Sequence, residues 1–293
     1  MRITQQMLSS NITSQLQQNL SRYEKANEQV STGKRINTPS DDPIGVQKSL
    51  KLASQLADNE QYERNTDYAL SWMETTDQAL NSISNALQRA NELGLQASNG
   101  TNSPEDQQTI AKEIEQLHAE IQDIANTKFD GKYIFNGQKT DQPIQIAANG
   151  DLTYNNQSLM QRMSSSNSNT IEMNVTGEVF DGNVNLFKTL DQLSGALASG
   201  DQEGVSSALK QIETGKEQVL NSWTTLGAKQ SRVEGMNQRL KEENLSLQTL
   251  VSKNDDVDFA EAIMKLKTEE SVYQASLAAS AKIIQPSLLD FLR

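Results

Sequence analysis

Apolar positions recur at helical spacing along most of this chain, and the stripes they make are thin at both ends. Between residues 3 and 32, Ile12, Leu16, Tyr23, Ala26 and Val30 keep a three-to-four spacing, with polar Asn19 in the same series. That pattern predicts a long helix with a narrow apolar face. Residues 257–292 repeat the design. Tyr273, Leu277, Ala281, Ile284 and Leu288 line one face, while Ala275, Ala278 and Ala279 keep the middle slender. A compact globule seldom needs such helices at both termini. An assembly does, because its subunits bundle their ends with those of neighbours, so self-association leads the functional expectation.

Between these ends lies a longer helical pattern. Gly33 is suited to closing the first helix, since glycine takes the left-handed conformation cheaply. Asp42 is a good N-cap and Pro43 a good first helical residue. The run 31–43 therefore reads as a shaped joint, with a second helix reaching about residue 97 and placing Leu70, Met73, Leu80 and Leu87 on one face, with Asp77 in the series. Ser103 and Pro104 restart a helix whose seam is Ile110, Ile114, Leu117, Ile121 and Ile124. Helical spacing returns in parts of 184–214. Beyond it, Val219, Leu226, Val233, Leu240 and Leu247 stand seven apart. The companion row, Trp223, Gln230, Asn237, Asn244 and Val251, is polar in its middle. Those amides either sit in a bundle seam and restrict its register, or face solvent between helices. Asn254-Asp255-Asp256-Val257 reads as a break, with Asp255 and Asp256 placed to cap the last helix.

Residues 128–137 read as a turn, a short strand and another turn. Short apolar segments such as 144–146 and 171–175, separated by Asn, Gly and Ser, predict a small β-rich insert. The expected organisation is mainly α with that insert, an elongated bundle with paired terminal helices. Its boundaries are 1–42 and 254–293 for the two halves of a terminal assembly domain, 43–137 and 186–253 for the outgoing and returning parts of a helical core domain, and 138–185 for the outer insert.

Composition agrees with slender packing. Hydrophobic residues make up 35% and aromatics 5% of the 293 residues, leaving little apolar surplus for one thick core. The formal charge of −12 opposes non-specific nucleic-acid binding, which depends on neutralising phosphates, and keeps a self-associating subunit soluble. No stretch approaches the ~18 apolar residues of a membrane span, so membrane insertion is not expected. Nor is a signal peptide, since the opening residues lack its apolar core.

Catalytic chemistry is sparse. The chain has no cysteine and a single histidine, His118, which reads as flanking a bundle seam. Asp41-Asp42 and Asp255-Asp256 are most simply helix-end carboxylates that offset the dipole. Arg35 reads as pairing with Asp41 or Asp42 or with a neighbouring subunit. No catalytic, cofactor or metal residues are predicted. A glycan hydrolase carried in the insert, using some of Asp141, Asp151, Glu172, Glu178 and Asp181, is the one enzymatic reading and the least favoured.

Two sets of motifs at opposite ends resemble the bacterial flagellin family. The first is Ser31-Thr32-Gly33-Lys34-Arg35-Ile36 followed by Pro39-Ser40-Asp41-Asp42-Pro43. The second is Ala260-Glu261-Ala262-Ile263, Glu270, Tyr273-Gln274-Ala275 and Ile283-Ile284-Gln285-Pro286-Ser287-Leu288-Leu289-Asp290-Phe291-Leu292. The resemblance covers roughly 1–137 and 215–293. It implies a flagellin-like bundle exported through the flagellar type III export apparatus without a cleaved signal peptide. A chaperone would shield the C-terminal helix before export. It also implies an extracellular place in the flagellum. Met1-Arg2-Ile3-Thr4 and the run 131–137 favour the branch that forms a ring at the hook–filament junction, an adapter touching hook-associated protein 1 on one side and flagellin on the other. The propagating filament subunit, flagellin itself, is the alternative.

Overall fold

A computed structural model describes residues 5–98, 103–147, 149–162 and 170–284 of the chain. In order, these form α1 (Gln5–Thr32), α2 (Pro43–Ser98), α3 (Pro104–Ala125), β1 (Lys128–Phe129), β2 (Lys132–Tyr133), β3 (Gln145–Ile146), β4 (Leu152–Thr153), β5 (Met160–Arg162), β6 (Thr170–Glu172), α4 (Glu178–Asp181), α5 (Leu186–Ser199), α6 (Gln202–Asp255) and α7 (Phe259–Ile284). The fold is mainly helical with a small antiparallel β insert. It divides into two compact units, one of residues 1–57 with 243–293 and one of residues 58–242.

The unit 58–242 holds the core. Trp72, Met73, Leu80, Ile83 and Leu87 of α2, Ile114 and Ile121 of α3, and Phe187, Leu190 and Leu193 of α5 are all sealed from solvent. The three-four spacing in each helix produces this burial, because it gathers apolar side chains on one face. Ile110 is buried and Leu117 partly so, both within the α3 seam. His118 lies beside that seam with its ring edge-on to Phe187, centroids 5.3 Å apart.

Local chemistry sets the element ends. Ser103 and Asp106 form a reciprocal capping box at the start of α3, with Pro104 just inside. The first hairpin, β1–β2, turns through Asp130 (φ 50°) and Gly131 (φ 74°). Two successive left-handed residues match the twist of a tight hairpin. The segment 128–137 is thus a two-stranded hairpin followed by a turn, where the sequence suggested a single strand. Two further antiparallel pairs, β3–β4 and β5–β6, complete the insert. Buried Asn136 fastens it. Its Nδ2 donates to Gln142 O at 2.9 Å and its Oδ1 accepts from Asn155 N at 2.7 Å.

α6 is longer than its sequence pattern suggested. It runs without interruption from residue 202 to 255, through Gly204, Gly215, Gly227 and Gly235. The heptad positions Val219, Leu226, Val233, Leu240 and Leu247 are all buried. The polar companion row is resolved residue by residue. Asn237 is buried and its Nδ2 donates to Thr66 Oγ1 at 2.8 Å and Asp67 Oδ1 at 2.7 Å on α2. Trp223 Nε1 donates to Asp77, which explains the acid within the apolar series of α2. Asn244 is buried, and Gln230 and Val251 are half-buried. Asn237 in this seam therefore cross-links α6 to α2, while Gln230 bonds within α6 to Glu234 at 3.2 Å.

Truncation at two positions on α6 tests this burial. Leu226→Ala is expected to cost about 2–5 kcal/mol in urea unfolding. Leu220→Ala, six residues earlier and 55% exposed, should stay within roughly 0.5 kcal/mol of wild type. Equal losses would contradict the assigned seam.

Candidate functional site

The unit of residues 1–57 and 243–293 is built from α1, α7, the first residues of α2 and the last of α6. Among its described apolar residues only Ala26, Leu52, Leu247 and Ala262 are buried. The contact between α1 and α7 is correspondingly polar. Tyr23 stacks on Tyr273 with centroids 6.0 Å apart and planes 9° from parallel. Asn19 Nδ2 donates to Ser276 Oγ at 2.5 Å, and Arg22 reaches Glu269 at 3.3 Å. Ala26 lets the two backbones approach.

The predicted seam residues fall into two groups. Ile12, Leu16, Tyr23, Val30 and Tyr273 are half-buried. Leu277 and Ala281 are exposed. Ile284 is the last residue of α7, and Leu288 lies outside the described residues. Elsewhere on α7, the apolar side chains of Phe259 (53% exposed), Ile263, Met264 (65% exposed) and Val272 are open to solvent. Large apolar side chains exposed in this number on one helix suit an interaction surface.

The joint beneath this pair is tightly bonded. Gly33 ends α1 with φ 69°, and Lys34 and Asp256 face each other in an antiparallel bridge. Arg35 N donates to Asp255 O at 2.6 Å and Val257 N to Gly33 O at 3.0 Å. The Arg35 guanidinium donates to Asp42 at 3.2 Å and to Asn254 O at 3.0 Å, while its carbonyl accepts from buried Gln29 at 3.1 Å. Asp42 Oδ1 accepts from Gly45 N at 2.9 Å, immediately before Pro43 starts α2. Asp41 serves the joint itself. It accepts from Asn37 N and Thr38 N and pairs with Lys25 at 2.7 Å.

Asp255 and Asp256 do not cap α7, which corrects the sequence reading. α6 extends through Asp255, and both residues lie before the last position from which a side chain could cap Phe259. Their carboxylates turn back instead, Asp255 accepting from Ser49 and Asp256 from Ser252 Oγ at 2.6 Å. Asp258 is the cap, its Oδ1 accepting from Ala260 N at 2.9 Å and Glu261 N at 3.2 Å. An acid followed three residues later by Glu261 is the recognisable signal for this position. The Asn19–Ser276, Arg22–Glu269 and Lys25–Asp41 pairs carried no comparable signal, because residues far apart in sequence make them or fold local chain onto a helix face.

Among the described residues no group of three or more His, Cys, Asp or Glu could hold a metal ion, and no helix is long and apolar enough to cross a membrane.

The joint has a defined acid response. Lys25, then the Thr38 amide, holds the Asp41 carboxyl well below the usual carboxylate range. The Gly45 amide, then Arg35, lowers that of Asp42. Depressed folded-state values mean that the joint's stabilisation is complete above the unfolded-chain value of roughly 3.9 and is lost as pH falls through the folded values. In an NMR pH titration, the Thr38 and Gly45 amides should show midpoints below about 3.9. Lys25→Met should move the Thr38 midpoint upward and leave that of Gly45 in place. Midpoints at the unperturbed value in wild type would contradict the described bonding.

Comparison with known proteins places this architecture. Residues 3–140 match the bacterial flagellin N-terminal helical region, and residues 209–292 match the bacterial flagellin C-terminal helical region. The chain is 29% identical to flagellar hook-associated protein 3 of Escherichia coli (strain K12), over 95% of its own length and 96% of that protein's. It is 30% identical to a flagellin of Halalkalibacterium halodurans, over 91% of this chain and 90% of that one. The crystal structure of Bacillus cereus FlgL is similar with a TM-score of 0.61 at 25% identity, covering 69% of this chain and 99% of that chain. With both helical regions matched in order and a full-length relative at this identity, the chain belongs to the bacterial flagellin family.

Proposed function

We propose that this protein is a structural adapter subunit at the hook–filament junction of the bacterial flagellum. The observation that carries the reading is the near end-to-end similarity to hook-associated protein 3, joined to a terminal helix pair that leaves Phe259, Ile263, Met264 and Val272 open to solvent. In this account α1 and α7 of adjacent copies cover one another's exposed side chains, and the copies form a ring. One side of the ring meets hook-associated protein 1 and the other receives the first flagellins. Head-to-tail contacts suit this use, because they propagate around a ring where a twofold contact would close.

The thin seam also suits delivery. A helix with little apolar burial draws its stability chiefly from packing partners. Such helices would pass through the flagellar type III export apparatus unfolded or partly folded, without a cleaved signal peptide. A chaperone on the C-terminal helix would cover Ile263, Met264 and Val272 until then. The site of action is extracellular.

Flagellin, the propagating subunit, is the second reading, and the 30% identity to the Halalkalibacterium protein favours it. Sheared filament or hook seeds separate the two. The adapter reading predicts that purified protein adds a single layer and then stops. Extended homopolymer growth would instead identify flagellin. Met264→Glu, at an exposed position of α7, should leave the thermal unfolding of the chain unchanged and lower incorporation at least about tenfold, the effect of roughly 1.4 kcal/mol at the contact. Normal incorporation of that variant would remove α7 from the interface.

A further inference from the structure

The chain has no cysteine and eight methionines, so its sulfur chemistry is that of thioethers. Among the described residues, exposure sorts them sharply. Met73 is sealed from solvent and Met173 is 5% exposed, both within the core of the unit 58–242, and Met236 packs against that core. Met7 of α1, Met160 of β5 and Met264 of α7 stand at 59%, 54% and 65%. With no thiol to react first, a peroxide that meets the free chain oxidises thioethers, and exposure decides which.

Met264 differs from the other two in what its oxidation changes. It lies on the helix that also leaves Phe259, Ile263 and Val272 open to solvent. Met160 belongs to the other compact unit, where its backbone pairs with Glu172. Met7 is the one large apolar side chain exposed among those described on α1. The Met264 carbonyl accepts from Thr268 Oγ1 at 2.8 Å, and α7 runs on past it for five turns. Chemistry at the sulfur therefore leaves the helix intact and alters only the exposed tip.

That chemistry is a single oxygen transfer. The thioether sulfur attacks hydrogen peroxide, the O–O bond breaks, an S–O bond forms, and the departing hydroxide takes the remaining proton to become water. Sulfur loses two electrons and the peroxide gains them. An apolar tip becomes a polar sulfoxide. In the free chain its oxygen is hydrated. Under a neighbour's apolar side chains it would lose that water without gaining a donor, the costly case of a buried unpaired acceptor.

We propose that Met264 is an oxidation-sensitive control on assembly: its sulfoxide keeps a free subunit from adding, and addition in turn shields the thioether. The proposal rests on the reading of α7 as a contact between copies. A methionine sulfoxide reductase with a dithiol as electron donor returns the thioether, releasing water and leaving a disulfide on the donor, so the block is reversible.

The test is hydrogen peroxide treatment of the full chain, followed by peptide mass mapping and addition to flagellar seeds. At a dose that leaves Met73 and Met173 as thioethers, Met264 should convert and the thermal melt should not move. The converted chain should add at least about tenfold less than untreated chain, the effect of one unpaired polar group at a contact. Reductases for both sulfoxide epimers, with dithiothreitol, should restore addition. Met264→Leu, close in volume to the native side chain, should add equally before and after peroxide. A chain carrying Met7→Leu and Met160→Leu should stay as sensitive as wild type. Once added, Met264 should oxidise severalfold more slowly than in the free chain. Normal addition of chain fully converted at Met264 would overturn the proposal. So would an equal peroxide effect on Met264→Leu, or equal oxidation rates in free and added chain. Failure of untreated wild type to add to any seed would strike the assembly reading itself, and the proposal with it.

Discussion

The terminal helices touch through a seam too narrow to bury their apolar side chains, and the functional account depends on that shortage. Between α1 and α7 the contacts are a tyrosine stack, an amide–hydroxyl bond and an exposed ion pair. Exposed ion pairs add little, typically about 0–1 kcal/mol. Phe259, Ile263, Met264, Val272 and Leu277 remain open to solvent. The unit of residues 58–242 shows the opposite balance, with Trp72, Phe135, Phe180 and Phe187 fully enclosed. One chain thus holds a unit with an enclosed core and a unit with large apolar side chains left exposed.

The joint reconciles these demands. It gives the chain crossings at Gly33 and Asp256 fixed backbone bonds while the helices beyond them stay sparsely packed. Arg35 is central, because its backbone, carbonyl and guanidinium bond to Asp255, Gln29, Asp42 and Asn254. A lysine in its place would keep the charge but lose the planar fork that serves Asp42 and Asn254 together. Within the unit of residues 1–57 and 243–293, a small polar cluster therefore ties the end of α1 to the end of α6.

Much of the architecture was legible because its causes are local. Asp42 before Pro43, Ser103 before Pro104 and the seven-residue rows of α6 act through neighbours in sequence, and each could be read there. Polar seam residues left two readings open, since Asn237 alone does not say whether Thr66 and Asp67 lie opposite. The continuity of α6 was hidden by its glycines. Gly215 is one case where packing explains the residue: a Cβ there would lie 2.4 Å from Leu186, so glycine permits α5 to approach. The cap of α7 was misassigned because Asp255-Asp256 is the more conspicuous acidic pair, although Asp258 with Glu261 carried the better signal. At the terminal site, Tyr273 of the stripe expected on α7 stacks on Tyr23 of α1, whereas Leu277 and Ala281 are exposed. The polar partners Asn19, Arg22 and Lys25 depend on tertiary register and left no pattern to read.

The most direct test of the account is amide hydrogen exchange on the same protein as a dilute monomer and after addition to flagellar seeds. The account predicts fast exchange throughout α1 and α7 in the monomer, slow exchange in α2 and α3 in both states, and strong protection of α1 and α7 only after addition. Slow, cooperative protection of both terminal helices in the dilute monomer would contradict it.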